Sequence, residues 1–249
     1  VEAPTYWAQG KPRWFVSGEL MAGPVMMATT MAGYGKPHWM WVGFEGFAAS
    51  SLEFGGGYAS LKATLAVVTL QLGVREFFSY EKSDLPVQKA YTKAELYADP
   101  DAIRAQHWSF EAKLGGVLPL SPFYAFLELA YSKMLDPPDQ GFVFDELQRA
   151  VIDSPHTFAA RLGTALAFFK RDRLLVGVIN EYVYLPGRWR EHLYRIGPVG
   201  SFDWTDHVQL LVFLTFPVVG PDDLGALQGV YGNIGVVYRW ASGEPRPGL

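Results

Sequence analysis

Apolar and polar residues alternate with period two along most of this 249-residue chain, the repeat that sends successive side chains to opposite faces of a β-strand. In HWSFEAKLGG, Trp108, Phe110, Ala112 and Leu114 share one face, while Ser109, Glu111 and Lys113 share the other. YASLKATL repeats the pattern, with Ala59, Leu61, Ala63 and Leu65 against Ser60, Lys62 and Thr64. Beyond Val67 and Val68 the polar positions move to odd numbers, as Thr69, Gln71 and Arg75. A β-bulge explains that shift, because LAVV carries no turn chemistry. The alternation predicts ten strands, at residues 13–29, 38–52, 57–79, 107–119, 123–135, 156–170, 173–187, 191–202, 206–218 and 227–240, with eight or twelve as the other even counts. Pro198 limits the strand 191–202 to a ladder position that needs no N–H donor.

The connections give these strands an architecture. Tight turns at FGGG (54–57), LSPF (120–123) and KRDR (170–173) alternate with longer polar loops, the longest at 80–106 and 136–155. Short and long connections in turn are those of a transmembrane up-and-down β-barrel. A soluble sandwich or lipocalin-like barrel also alternates, but its polar face meets water and is dense in Lys, Glu and Thr. Here the polar face carries isolated charges among Gly, Ala, Ser and Thr: Glu19, Glu45, Lys62, Glu111, Lys113, Glu128, Arg161, Glu181 and Arg239. The spacing fits a charge network in a narrow lumen. The apolar face ends repeatedly in large rings, and Trp14, Trp39, Trp41, Trp108, Tyr182 and Tyr184 are predicted to lie at the membrane interface, where an amphipathic ring is favoured. The fold class expected is therefore all-β, a transmembrane antiparallel barrel of about ten strands forming one domain over residues 1–249.

Composition sharpens this picture. Hydrophobic residues make up 49% and charged residues only 18%, so much of the surface faces something other than water. A membrane helix needs about 18 consecutive apolar residues. The longest uncharged stretches, Leu20 to Gly35 and Leu224 to Tyr238, are broken by Gly and polar residues. A net charge of −4 argues against a nucleic-acid partner, which requires a basic face. Cysteine is absent, which removes disulfides and thiolate chemistry. A first residue of Val rather than Met suggests a processed N-terminus and export, with the leader absent from this chain and residues 1–12 as a periplasmic segment.

The end of the chain carries a resemblance. NIGVVYRW (233–240) resembles the C-terminal targeting strand of bacterial outer-membrane β-barrel proteins: a polar residue, then Gly, then two aromatics in alternate positions, here Asn233, Gly235, Tyr238 and Trp240. The resemblance implies an assembly signal read by the barrel-assembly machinery, a closing strand paired with the first, and the outer membrane of a Gram-negative bacterium as location. Outer-membrane lipid is then a partner. Ala241 to Leu249 depart from the pattern as a coil tail beyond the usual terminus.

No chemistry assembles in the sequence alone. His38, His107, His156, His192 and His207 fall at predicted strand ends or in loops, Ser154 near His156 lacks a third partner, and Asp222–Asp223 in GPDDLG fit a turn. No catalytic residue, metal site or cofactor is assigned, and the chain is expected not to be an enzyme. Five acidic against four basic lumen candidates suit a packed network better than a selectivity ring. The function expected is a scaffold or subunit of a cell-envelope assembly, with protein partners met through loops 80–106 and 136–155, where Phe142, Val143 and Phe144 would be exposed contacts. A narrow porin-like channel is the alternative, and an outer-membrane hydrolase a further one.

Overall fold

The computed structural model describes residues 6–83, 85–96, 104–137, 142–145, 147–153, 155–169, 173–224 and 229–243. Twelve strands close into an antiparallel barrel: β1 (Arg13–Ala22), β2 (Met26–Lys36), β3 (Met40–Ser50), β4 (Phe54–Leu65), β5 (Val68–Ser83), β6 (Arg104–Leu120), β7 (Phe123–Met134), β10 (His156–Phe168), β11 (Leu174–Tyr184), β12 (His192–Asp203), β13 (Val208–Val219) and β14 (Tyr231–Ala241). Two short strands, β8 (Val143–Asp145) and β9 (Ala150–Ile152), pair only with each other. Each barrel strand pairs with its sequence neighbour, β7 with β10 across the short hairpin, and β1 closes the ring on β14.

The count exceeds the predicted ten because two predicted strands are hairpins. Residues 13–29 fold as β1, a three-residue turn and the first four residues of β2, with Met21 opposite Met27. An odd-length turn leaves the inward positions on the same parity, so the alternation runs through it unbroken. Residues 57–79 divide at Ala66–Val67, with Leu65 opposite Val68. A two-residue turn reverses the parity, and that reversal is the shift taken for a bulge. FGGG is likewise no turn, since Phe54–Gly57 opens β4. Pro198 sits where the β12–β13 ladder skips from Ile196 to Val199, as a missing donor requires.

Ala66 closes the β4–β5 turn at φ 53°, a left-handed conformation that costs a non-glycine residue about 1 kcal/mol or more. Ala66→Gly is expected to stabilise the barrel by about 0.5–1 kcal/mol after the entropy cost of glycine is subtracted. A urea midpoint at or below that of the native chain would contradict this.

Strand direction sorts the connections. The start of β1, the end of β14 and the short connections after β2, β4, β6, β10 and β12 lie at one end, and the connections after β5, β7, β11 and β13 leave from the other, with turns 23–25 and 51–53. These are called the turn end and the loop end below. The outer wall is apolar: Val16, Leu20, Phe44, Leu61, Leu162, Val176, Ile234 and Val236 are all exposed. The closing seam fits by shape. Trp240 lies opposite Gly18 with its indole across the glycine, where a Cβ would come 2.5 Å from the ring nitrogen. Backbone pairing continues past β14, with Ser242 N donating to Val16 O at 2.8 Å.

Candidate functional site: a lumen spanned by its own hairpin

The inward residues of the wall pair their charges across neighbouring strands. Lys62 reaches Glu45 at 2.7 Å, Arg239 reaches Glu19 at 2.8 Å, and Lys113 reaches Glu111 at 2.7 Å. Arg161 bonds both Glu128 and, at 2.8 Å, Glu181. All nine residues proposed for a lumen network therefore have an oppositely charged partner among themselves. The sequence reading missed three more. Arg75 lies 2.8 Å from Glu111, Arg195 lies 2.8 Å from Glu181, and Asp145 pairs with Arg75. These bring the set to six acidic and six basic groups. Arg75 and Arg195 are on inward parity and were legible in principle; Asp145 comes from a loop and carried no signal.

Asp145 is the link to the second structure inside the barrel. The hairpin β8–β9 folds into the loop end, and its turn is organised by the Asp145 carboxylate, whose Oδ1 accepts from Leu147 N at 2.9 Å and Gln148 N at 3.0 Å. The same oxygen accepts from Arg75 Nη1 at 3.1 Å, with Arg75 Nη2 on the other. On the far wall, Arg195 Nη2 donates to Gln148 O at 2.9 Å and to Arg149 O. β5 and β12 stand five strands apart in the ring of twelve, close to a diameter. The hairpin thus spans the lumen and is tied to both sides. Arg149 also reaches Glu53 in the turn between β3 and β4 at 2.8 Å.

Packing holds the hairpin on both faces. Val143, Ala150 and Ile152 join Ala105, Met134, Val183 and Leu193 of the wall. Phe144 and Val151 join Leu85, Tyr91, Leu96, Phe142 and Leu224 of the loops. Arg188 fastens those loops: it bonds Asp222, donates to Gln88 O at 3.1 Å, and lies over the rings of Tyr91 and Phe142. Residues Phe142 to Phe144, expected as an exposed contact, are each at most 5% exposed. A two-sided apolar hairpin has no free face to offer. Asp222 and Asp223 serve this same closure: Asp222 Oδ1 accepts from Tyr91 N, and Asp223 N donates to Tyr91 O.

The turn end is more open. A cavity of about 1500 Å³ is lined by Glu19, Glu45, Lys62, Trp39, Gln209 and Arg239, among others. A 3₁₀ turn, Tyr6–Ala8, lies at its mouth, where Trp7 meets the rings of His38 and His207 edge-on at 4.6 and 5.4 Å. Burial lowers the His38 imidazole below its ordinary value, against the raising effect of its contact with the Trp240 carbonyl.

Two of the six predicted interface aromatics are misplaced. Trp41 is 4% exposed and packs inside against Phe15 and Met31, and Trp39 lines the cavity mouth. Strand β3 turns its odd residues inward, so Trp41 shares a face with Glu45. Trp14 and Trp108 face outward at opposite ends, and Tyr182 and Tyr184 point out near the loop end beside His192. In β14 the outward residues are Ile234, Val236, Tyr238 and Trp240; Asn233 turns inward and donates to Val25 O at 3.1 Å. Ser154 and residues 244–249 of the tail lie outside the described residues.

The expectation that the chain is no enzyme is corrected. It rested on the absence of an assembled constellation of titratable groups, and the fold assembles one: Arg75, Glu111, Asp145 and His107, whose Nε2 is 3.8 Å from Asp145. Burial pushes the Asp145 carboxyl up, but the Arg75 guanidinium outweighs it and holds the group well below the usual carboxylate range. No activity is shown by this arrangement.

No family model matches this sequence, and no curated protein matches it. Among solved structures, the chain is similar to the NanC porin, with 10% identity over 92% of this chain and 98% of that one and a TM-score of 0.41. It is similar to a loop-deletion form of OmpT, an outer membrane protein of Vibrio cholerae, with 8% identity, coverage of 92% and 99%, and a TM-score of 0.39. It is also similar to the translocator domain of the autotransporter NalP from Neisseria meningitidis, with 12% identity, coverage of 92% and 88%, and a TM-score of 0.39. What the chain itself displays is a closed antiparallel barrel, apolar outside and charged inside, with its loop end filled by its own residues.

Proposed function

We propose that this chain is an integral outer-membrane β-barrel with an occluded lumen, serving as a membrane-embedded scaffold or subunit of a cell-envelope assembly. The observation that carries this reading is the hairpin 143–152, anchored by Arg75 on one wall and Arg195 on the other. A barrel of twelve strands is wide enough to need filling, and this one is filled at its loop end by its own chain. The apolar outer wall supports the membrane setting, with the start of β1, the end of β14 and the short turns on the periplasmic side and the long loops outside. Lipid is then a partner along the wall, and the barrel-assembly machinery a partner during biogenesis through Asn233, Gly235, Tyr238 and Trp240. Protein partners would meet the remaining loop surface, where Val87 and Trp189 are exposed. The turn-end cavity favours a second reading, a narrow channel for small solutes with the hairpin as its gate.

Cell fractionation with gel migration before and after boiling tests the placement. The protein is expected in the outer-membrane fraction with heat-modifiable mobility, and a soluble protein indifferent to boiling would contradict the membrane reading. Mild-detergent purification tests the role: a stoichiometric protein partner is expected, and a barrel recovered alone counts against the scaffold.

A further inference from the structure

On the outer wall near the loop end, an apolar groove of about 380 Å³ crosses β6, β7, β10 and β11. Its volume is that of a small-ligand cleft. It exists because small side chains alternate with large ones along the register. Ala112 stands opposite Tyr131, and Ala160 stands between Leu129 and Tyr182. Tyr131 and Phe158 form the loop-side edge, with ring centroids 5.0 Å apart.

The next outward row toward the loop end changes character. Lys133 lies opposite His156, two residues beyond Tyr131 and Phe158 on their strands, which is about 7 Å of rise. Lys133 is exposed and makes no ion pair among the described residues. His156 is positioned by Tyr131, whose hydroxyl is 2.8 Å from Nδ1 and whose ring stacks on the imidazole. With Tyr131 donating to Nδ1, Nε2 carries the imidazole proton and is free to donate. One unpaired cation and one oriented donor therefore cap a hydrocarbon-lined groove.

We infer that this groove with Lys133 and His156 is a binding site for a phosphate-bearing acylated lipid of the loop-side leaflet, its chain in the groove and its phosphate on the Lys133 ammonium and the His156 ring N–H. Charge complementarity selects this occupant over a neutral lipid, since Lys133 makes no ion pair among the described residues and sits at the end of the groove where a headgroup would lie. The inference rests on the membrane placement proposed above.

Native mass spectrometry of the detergent-purified protein with palmitoyl-oleoyl phosphatidylglycerol, the same-chain diacylglycerol, or glycerol 3-phosphate tests it. One phosphatidylglycerol is expected to be retained, with the headgroup-less and chain-less probes each weaker by about tenfold or more. Lys133→Gln with His156→Gln is expected to lower retention of phosphatidylglycerol by about tenfold, and Ala160→Leu, which fills the groove floor, to lower it with the headgroup residues intact. Each variant is checked for the heat-modifiable shift of a folded barrel. Equal retention by the native chain and all variants, or equal binding of diacylglycerol and phosphatidylglycerol, overturns the lipid site. Absence of the heat shift in the native chain overturns the membrane reading instead.

Discussion

Asp145→Ala is expected to release the hairpin 143–152 from the lumen wall while the barrel persists. The substitution removes the acceptor for Leu147 N and Gln148 N and leaves Arg75, which is 3% exposed, with Glu111 alone. Removing one member of a buried ion pair costs about 3–5 kcal/mol, because the other charge remains out of water. Hydrogen exchange of residues 143–152 should accelerate by about two to four orders of magnitude, with the strands of the wall unchanged. The pH dependence follows from the depressed Asp145 carboxyl. A group whose folded value is lowered contributes fully above its unfolded value, about 3.9, and loses that contribution as pH falls toward the folded value. Protection of the native hairpin should stay constant from neutral pH down to about 4 and weaken only below, and the Asp145→Ala chain should lack that acid limb. Global unfolding of the variant at neutral pH, or unchanged hairpin protection, would contradict the latch.

Glu181→Ala carries the other large effect. Glu181 is 1% exposed and accepts from Arg161, Arg195 and Thr215, so its loss leaves Arg195 buried without a carboxylate while Arg161 keeps Glu128. The Tyr231 ring, 4.5 Å from Arg161 and 5.6 Å from Arg195, offsets only part of that cost. A loss of about 3–5 kcal/mol is expected, read as a lower temperature for conversion of the compact gel band to the unfolded one. Because Arg195 also holds the hairpin carbonyls, Glu181→Ala and Asp145→Ala should be non-additive by about 0.5–3 kcal/mol. Additive effects would mean that the two anchors act independently.

These outcomes bear on what a sequence can disclose. The barrel class was legible because every strand obeys the same inward-outward rule, and the nine lumen charges were legible because parity alone puts them on one face. The strand count was not, and the reason is arithmetic: the three-residue turn after Ala22 preserves parity, and the two-residue turn at Ala66–Val67 imitates a bulge. Trp41 shows the same weakness from another side, since a ring at a strand end is equally suited to a girdle and to an inner cluster until the inward parity is known. The closure itself left least trace. Phe142, Val143 and Phe144 look like an exposed contact in a long loop, and only the tertiary fold covers both of their faces. Asp145 is a loop acid among several until it meets Arg75 from a strand seventy residues away.

The outward wall adds a constraint on variants. The seam depends on Trp240 lying across Gly18, so side chains at position 18 and changes in the terminal aromatics act on closure and on the proposed assembly signal together. Effects of such changes on biogenesis and on stability are separable by comparing refolded protein with protein assembled in cells.

Single-channel recording in a planar bilayer tests the closed lumen most directly. The native barrel should show no steady openings above baseline, and the Asp145→Ala barrel, inserted equally and heat-modifiable like the native one, should show discrete openings. Steady conductance in the native protein with the hairpin still protected from exchange would contradict the occluded lumen.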